Sequence, residues 1–113
     1  MSGTTIEFED FLKVEMCTGT ILEAVRNPEA RVPAFTLRID FGEKGIRTSS
    51  AQLTRNYTEL DLTGKQIVAV VNFPPKRVAG VKSEVLVLGA VSEKDGVVLL
   101  EPSFPVGNGV PIA

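Results

Sequence analysis

The chain has 113 residues, 43% of them apolar and 23% charged, with a formal net charge of −2, a size that supports one domain and one core of modest extent. It has no histidine and a single cysteine, Cys17, which excludes His-based triads, His metal ligands, an internal disulfide and a multi-cysteine zinc site. Its apolar runs are far shorter than the ~20 residues of a membrane span, and the start MSGTTIEFEDF is acidic, with no cationic segment leading into an apolar one, so a cytoplasmic protein without membrane insertion is expected.

In chain order, Thr4-Thr5-Ile6-Glu7 has capping-box spacing, which predicts a helix start. Phe8, Phe11 and Leu12 follow at helical spacing, and Glu7, Glu9 and Asp10 suit the positive end of the helix dipole. A helix this short needs something to pack on; it either closes one end of a barrel or carries Phe8 and Phe11 to a partner subunit. Val14 to Val25 reads as a long strand with a bulge or bend expected at Gly19. A loop with two prolines precedes Phe35, Leu37, Ile39 and Phe41, which alternate with Thr36, Arg38 and Asp40. That period of two requires one face to be core. Gly42 to Gly45 turns the chain into a third strand, Ile46 to Ser49.

Ser49-Ser50-Ala51-Gln52 again has capping-box spacing, and Leu53, Tyr57, Leu60 and Leu62 give a broken helical stripe that Gly64 ends. Ile67–Val71 and Ser83–Val91 read as strands flanking a stiff basic loop, with Asn72-Phe73-Pro74-Pro75 followed by Lys76, Arg77 and Lys82. Asp95-Gly96 supplies a hairpin turn into a return strand, Val97–Leu100. The tail from Glu101 holds three prolines with Phe104, Val106, Val110 and Ile112, and is too apolar to hang free. Short strands with one helix between the third and fourth predict an all-β, five-stranded Greek-key barrel of the oligonucleotide/oligosaccharide-binding (OB) type, with an N-terminal helix and a C-terminal extension.

Charge is unevenly placed. Residues 1–25 carry net −4, residues 26–82 net +5 and residues 83–113 net −3. The basic middle admits two ligand classes. Lys76, Arg77 and Lys82 beside Asn72 and Phe73 have the makings of a phosphate-and-base surface, or are a solvated loop. Arg38 and Arg47 lie on neighbouring predicted strands, as a binding face or any wet face would have them. Alternatively Phe73, Val81, Phe104 and Val110 form pockets for an extended apolar peptide, or bury against a second copy of the chain. Cys17, in an apolar-alternating strand, reads as a small packed hydrophobe. With no activated nucleophile, metal cluster or phosphate loop, no enzyme and no cofactor are expected.

The strings VNFPPKRVAGVKSEVLVLG, SSAQLTRNY, PEARVPAFTLRIDFG and IVAVVNF resemble the CsaA-type proteins, export-related chaperones within the wider tRNA-binding domain family. The resemblance runs from about Phe11 into the tail. It implies one domain over residues 1–113, with a core at about 11–100, and extensions 1–10 and 101–113 at a homodimer contact through Phe8, Phe11, Phe104, Val110 and Ile112. It also implies a peptide site at Asn72, Phe73, Pro74, Pro75, Ser83 and Glu84 for unfolded preprotein segments. A tRNA site would fall on Arg38, Arg47, Ser49, Ser50, Lys76 and Arg77, which the residue reading extends to Lys82. Many relatives carry Arg where this chain has Cys17, and tRNA-binding relatives continue Gly-Met where this chain has Val85-Leu86. Both departures, with a pI near 5.1, favour peptide over tRNA as the ligand.

Overall fold

Phe35, Leu37, Ile39 and Phe41 are all completely buried, so the alternating face does become the centre of the core. The computed structural model describes residues 3–113; residues 1–2, the first of the expected N-terminal extension, lie outside the described residues. In chain order the elements are α1 (Phe8–Leu12), β1 (Met16–Arg26), β2 (Phe35–Asp40), β3 (Ile46–Ala51), α2 (Glu59–Leu62), β4 (Gln66–Val70), β5 (Lys76–Val78), β6 (Val81–Ser83), β7 (Leu86–Val87), β8 (Gly89–Ser92) and β9 (Gly96–Leu99).

Five strands form one antiparallel sheet in the order β3-β2-β1-β4-β7. Three consecutive strands with the fourth returning beside the first is the Greek-key arrangement. The sheet curls into a nearly closed all-β barrel of OB type, with α2 between the third and fourth strands as expected. The core joins Ile21, Ala24, Leu53, Leu62, Ile67, Ala69, Val85 and Leu99 to the β2 residues.

Several local expectations are corrected. Gly19 does not interrupt β1: the register shift lies between Ile21 and Glu23. Glycine is needed at 19 for a different reason, since a Cβ there would sit 2.7 Å from the Phe41 ring and 2.8 Å from Ile39. The first helix is capped by Glu7 and Asp10 rather than by Thr4 and Glu7, and none of its residues is buried. No helix starts at Ser49, because Ser49 and Ser50 belong to the β2–β3 ladder. The second helix is capped nine residues after Ser49, where Thr58 and Asp61 form a reciprocal capping box. Those bonds to Thr58 hold the Asp61 carboxyl below its usual range. Leu60, expected on the apolar stripe, is instead almost fully exposed.

The stretch read as a stiff loop and one long strand is a chain of short elements. β5 and β6 form a hairpin with Val78 paired to Val81. Ala79 and Gly80, both at positive φ, make its tight turn, as two-residue hairpins of primed type require. The expected strand 83–91 is broken into the ends of β6, β7 and β8. The tail folds back on its own barrel: the Thr18 N–H donates to the Val110 carbonyl (3.0 Å), Gly109 N–H to Thr18 (2.7 Å) and Ile112 N–H to Met16 (3.0 Å). It occupies the edge of β1 that β2 leaves unpaired, so its backbone polar groups find partners.

Candidate ligand-binding site

A cleft of about 500 Å³ opens beside the place where the barrel closes. Phe73, Pro74 and Pro75 form one wall, and Val78, Val85 and Leu86 line the rest of its apolar surface. The prolines have fixed φ and no N–H to pair, so this wall neither joins the sheet nor collapses. Phe73 is 52% exposed and Leu86 50% exposed, which leaves apolar area for a ligand to cover. Ser50, Lys76, Ser83 and Glu84 supply the polar rim.

Most of that rim also holds the barrel shut. The Ser49 hydroxyl donates to the Val85 carbonyl (3.0 Å). The Ser50 N–H donates to the Ser83 hydroxyl (3.1 Å), the Thr48 N–H to a Glu84 carboxylate oxygen (3.2 Å), and the Glu84 N–H to the Thr48 carbonyl (2.8 Å). Strand β7 is only two residues long, so these bonds do the joining that a longer fifth strand would do through a ladder. Among the described residues, the other Glu84 oxygen and the Ser83 hydroxyl hydrogen meet no protein partner. Each therefore has bonding capacity for a ligand's N–H or C=O.

The expected peptide residues Phe73, Pro74, Pro75, Ser83 and Glu84 come together in this cleft. Asn72 does not. Its amide oxygen accepts from the Glu15 N–H (2.9 Å) and its amide nitrogen donates to the Lys13 carbonyl (2.7 Å), which pins the segment after α1. Of the expected tRNA residues, Ser50 and Lys76 line the cleft, and Arg77 and Lys82 face each other across the adjoining hairpin. The others lie elsewhere. Arg38 is opposite Glu23 in the ladder and 3.9 Å from its carboxylate. Arg47 donates to the Val71 carbonyl (3.0 Å) and the Lys44 carbonyl (3.3 Å). Ser49 is 1% exposed, out of reach of any ligand on the folded barrel.

The residue reading missed Val78, Val85 and Leu86 as lining groups. A signal for Val78 was present: Lys76-Arg77-Val78 and Val81-Lys82-Ser83 mirror each other about Ala79-Gly80, which is hairpin symmetry. The expected dimer residues do not form one patch: four divide between two recesses, and Val110 lines neither. Phe8, Phe11 and Ile112 line an apolar recess of about 280 Å³ between the termini, with Asn72 at its edge. Phe104 lies in a separate, more polar recess beside Lys65 and Gln66. Cys17 is buried, and burial pushes its thiol above the ordinary value, consistent with a packed side chain rather than a nucleophile.

Residues 16–111 match the family described as "Putative tRNA binding domain". The crystal structure of chaperone CsaA from Bacillus anthracis str. Ames is 57% identical, with a TM-score of 0.92, covering 97% of this chain and 100% of that one. The CsaA chaperone protein from Picrophilus torridus is 47% identical, with a TM-score of 0.91, over 96% and 100% of the two chains. A methionine–tRNA ligase of Porphyromonas gingivalis is 35% identical over 104 residues, 92% of this chain. The chain spans only 15% of that ligase's length.

Proposed function

The chain belongs to the tRNA-binding domain family and is of CsaA type, and from that premise we propose that its cleft holds extended apolar segments of unfolded preproteins, as a non-enzymatic export chaperone in the cytoplasm. The composition of the cleft carries this reading. Its walls are apolar and set by prolines, and its rim offers the Ser50 and Ser83 hydroxyls and one Glu84 carboxylate oxygen for backbone-like partners. That is the pattern of peptide recognition, in which pockets take side chains and polar groups orient the chain. Binding needs no nucleotide and no covalent step.

The functional unit in this proposal is a homodimer. Phe8 is 71% exposed and stacks obliquely on Phe11, with ring centroids 6.2 Å apart. Two aromatics on a helix with no buried residue call for a covering surface, and a second copy of the same recess supplies one.

A second ligand, tRNA, is favoured by one specific feature. Arg77 and Lys82 are directly opposite in the hairpin register, where like charges repel, and an anion lying over both removes the repulsion. Fluorescent titration with an unfolded preprotein and with tRNA, each over a range of salt, separates the two. Phe73→Glu is expected to abolish preprotein binding and Arg77→Ala/Lys82→Ala, outside the cleft lining, to leave it. The double variant should instead lower the tRNA salt slope by about one per cation removed. Tight tRNA binding with no preprotein binding at any salt would overturn the chaperone reading.

A further inference from the structure

A second apolar recess, about 370 Å³ in volume, adjoins the cleft, and Ser50 and Leu86 line both. The first recess takes its wall from Ser83–Leu86 and the second from Leu86–Gly89, so the two follow one another along the same stretch of chain. We propose that they form one continuous groove, and that the second recess takes a second apolar side chain of the extended polypeptide held in the first. The inference rests on the peptide reading of the cleft and specifies its substrate: a segment with two apolar anchors rather than one.

Three observations carry it. Exposed apolar side chains mark the whole course of the groove: Phe73 at one end, Leu86 at the divide, and Val91, 84% exposed, at the far end. The lining changes character along the way. Lys76 and Glu84 stand at the first recess, whereas no residue lining the second is charged. A nucleic acid brings a phosphate with every nucleotide, and an uncharged apolar recess would desolvate that charge without pairing it. An alternation of apolar side chains on an extended peptide meets no such penalty.

The third observation is that the far wall is held in place. The β8–β9 hairpin that carries Val91 and Val97 is tied at its tip. Arg55 donates to the Glu93 carbonyl (2.9 Å), and Asn56 donates to the carbonyls of Asp95 (2.7 Å) and Val97 (3.0 Å). The Tyr57 hydroxyl accepts from the Leu99 N–H (3.0 Å). These bonds fix the hairpin against the segment following β3, so both sides of the recess are positioned before a ligand arrives, which lowers the ordering cost of binding.

The test uses fluorescein-labelled Gly/Ser peptides carrying one leucine, or two leucines spaced two or four positions apart, about 7 and 13 Å along an extended chain. Each is titrated against the wild-type protein, Val91→Glu and Phe73→Glu. Both substituted side chains are exposed, so the barrel is left intact. One of the two-leucine peptides is expected to bind at least about tenfold tighter than the one-leucine peptide, the scale of burying one leucine side chain. Val91→Glu should erase that gain and leave one-leucine binding unchanged, while Phe73→Glu weakens both. If the second leucine brings no gain, or Val91→Glu leaves the gain intact, while Phe73→Glu still weakens binding, the second recess is excluded and the first stands. If Phe73→Glu changes nothing, or no peptide binds, the cleft reading fails and the groove with it. A labelled tRNA that loses affinity on the uncharged Val91→Ser would overturn the assignment of the far recess to a peptide.

Discussion

The cleft at the barrel seam and the recess between the two termini are both apolar, yet they are held by opposite means. The cleft takes most of its wall from one run of sequence, Phe73 to Leu86, stiffened by two prolines and a tight hairpin. The terminal recess takes its wall from residues 8–16, Asn72 and residues 111–113. Those three pieces meet through a few long-range hydrogen bonds: the Asn72 side chain on the segment after α1, and the Thr18 side chain together with backbone bonds from β1 on the tail. One surface is local and rigid. The other is assembled, and depends on a few hydrogen bonds for its existence. A ligand site gains from the first kind of construction. A contact between copies tolerates the second, because the partner completes the order.

Substitutions can break this contrast or sharpen it. The largest effect is expected from Thr18→Val. The buried Thr18 hydroxyl donates to the Gly107 carbonyl (2.7 Å) and accepts from the Val110 N–H (3.0 Å). Losing both leaves the Val110 N–H without a partner and the Gly107 carbonyl with only the longer bond from the Gln66 amide (3.5 Å), at about 2 kcal/mol, measured as a lower urea midpoint. Limited proteolysis should then cut the tail while peptide binding at the cleft persists; tail and cleft failing together would erase the distinction between them.

Ser49→Ala should have the converse pattern, at about 1–2 kcal/mol, because the Val85 carbonyl loses its donor next to the cleft floor. Cleft affinity should fall and the tail should stay protected. Asn72→Ala comes next, at about 1 kcal/mol for two exposed bonds. It should loosen the segment after α1 and leave the dissociation constant of a cleft peptide within about twofold, a change too small to count as a lost contact. A tenfold loss would restore Asn72 to the ligand site.

The smallest effect concerns pH. Burial raises the Cys17 thiol above its ordinary value of 9.0. The unfolded chain therefore ionises this thiol at lower pH than the native one. The native advantage is whole below about pH 9 and is lost as pH rises through the folded value. Urea midpoints should fall between pH 8 and pH 10, and Cys17→Ala should flatten that fall. An unchanged slope would mean that the thiol is solvated in the native state.

How legible each feature was follows from how local its cause is. The alternation at Phe35, Leu37, Ile39 and Phe41 announced a buried face, and all four are buried, because strand periodicity is a property of consecutive residues. Phe73, Pro74 and Pro75 were legible as a stiff apolar wall for the same reason. Ser49, Ser50, Ser83 and Glu84 became ligand-facing positions only through the family resemblance. Nothing in their own neighbourhoods shows that Ser49 meets Val85 and Ser50 meets Ser83, each across more than thirty residues of chain.

The sequence by itself determined an all-β barrel with one inserted helix, a basic middle and a proline-walled slot, since strand period, turn chemistry and proline geometry act within a few residues. The tertiary structure alone decided which polar side chains close the barrel and which face the slot. It alone drew Asn72 into the N-terminal clamp, put Gly19 under the Phe41 ring, and joined the slot to a second recess at Leu86. Those outcomes are contacts between distant segments, and a hydrogen bond or a steric clash has no sign until both partners are in place.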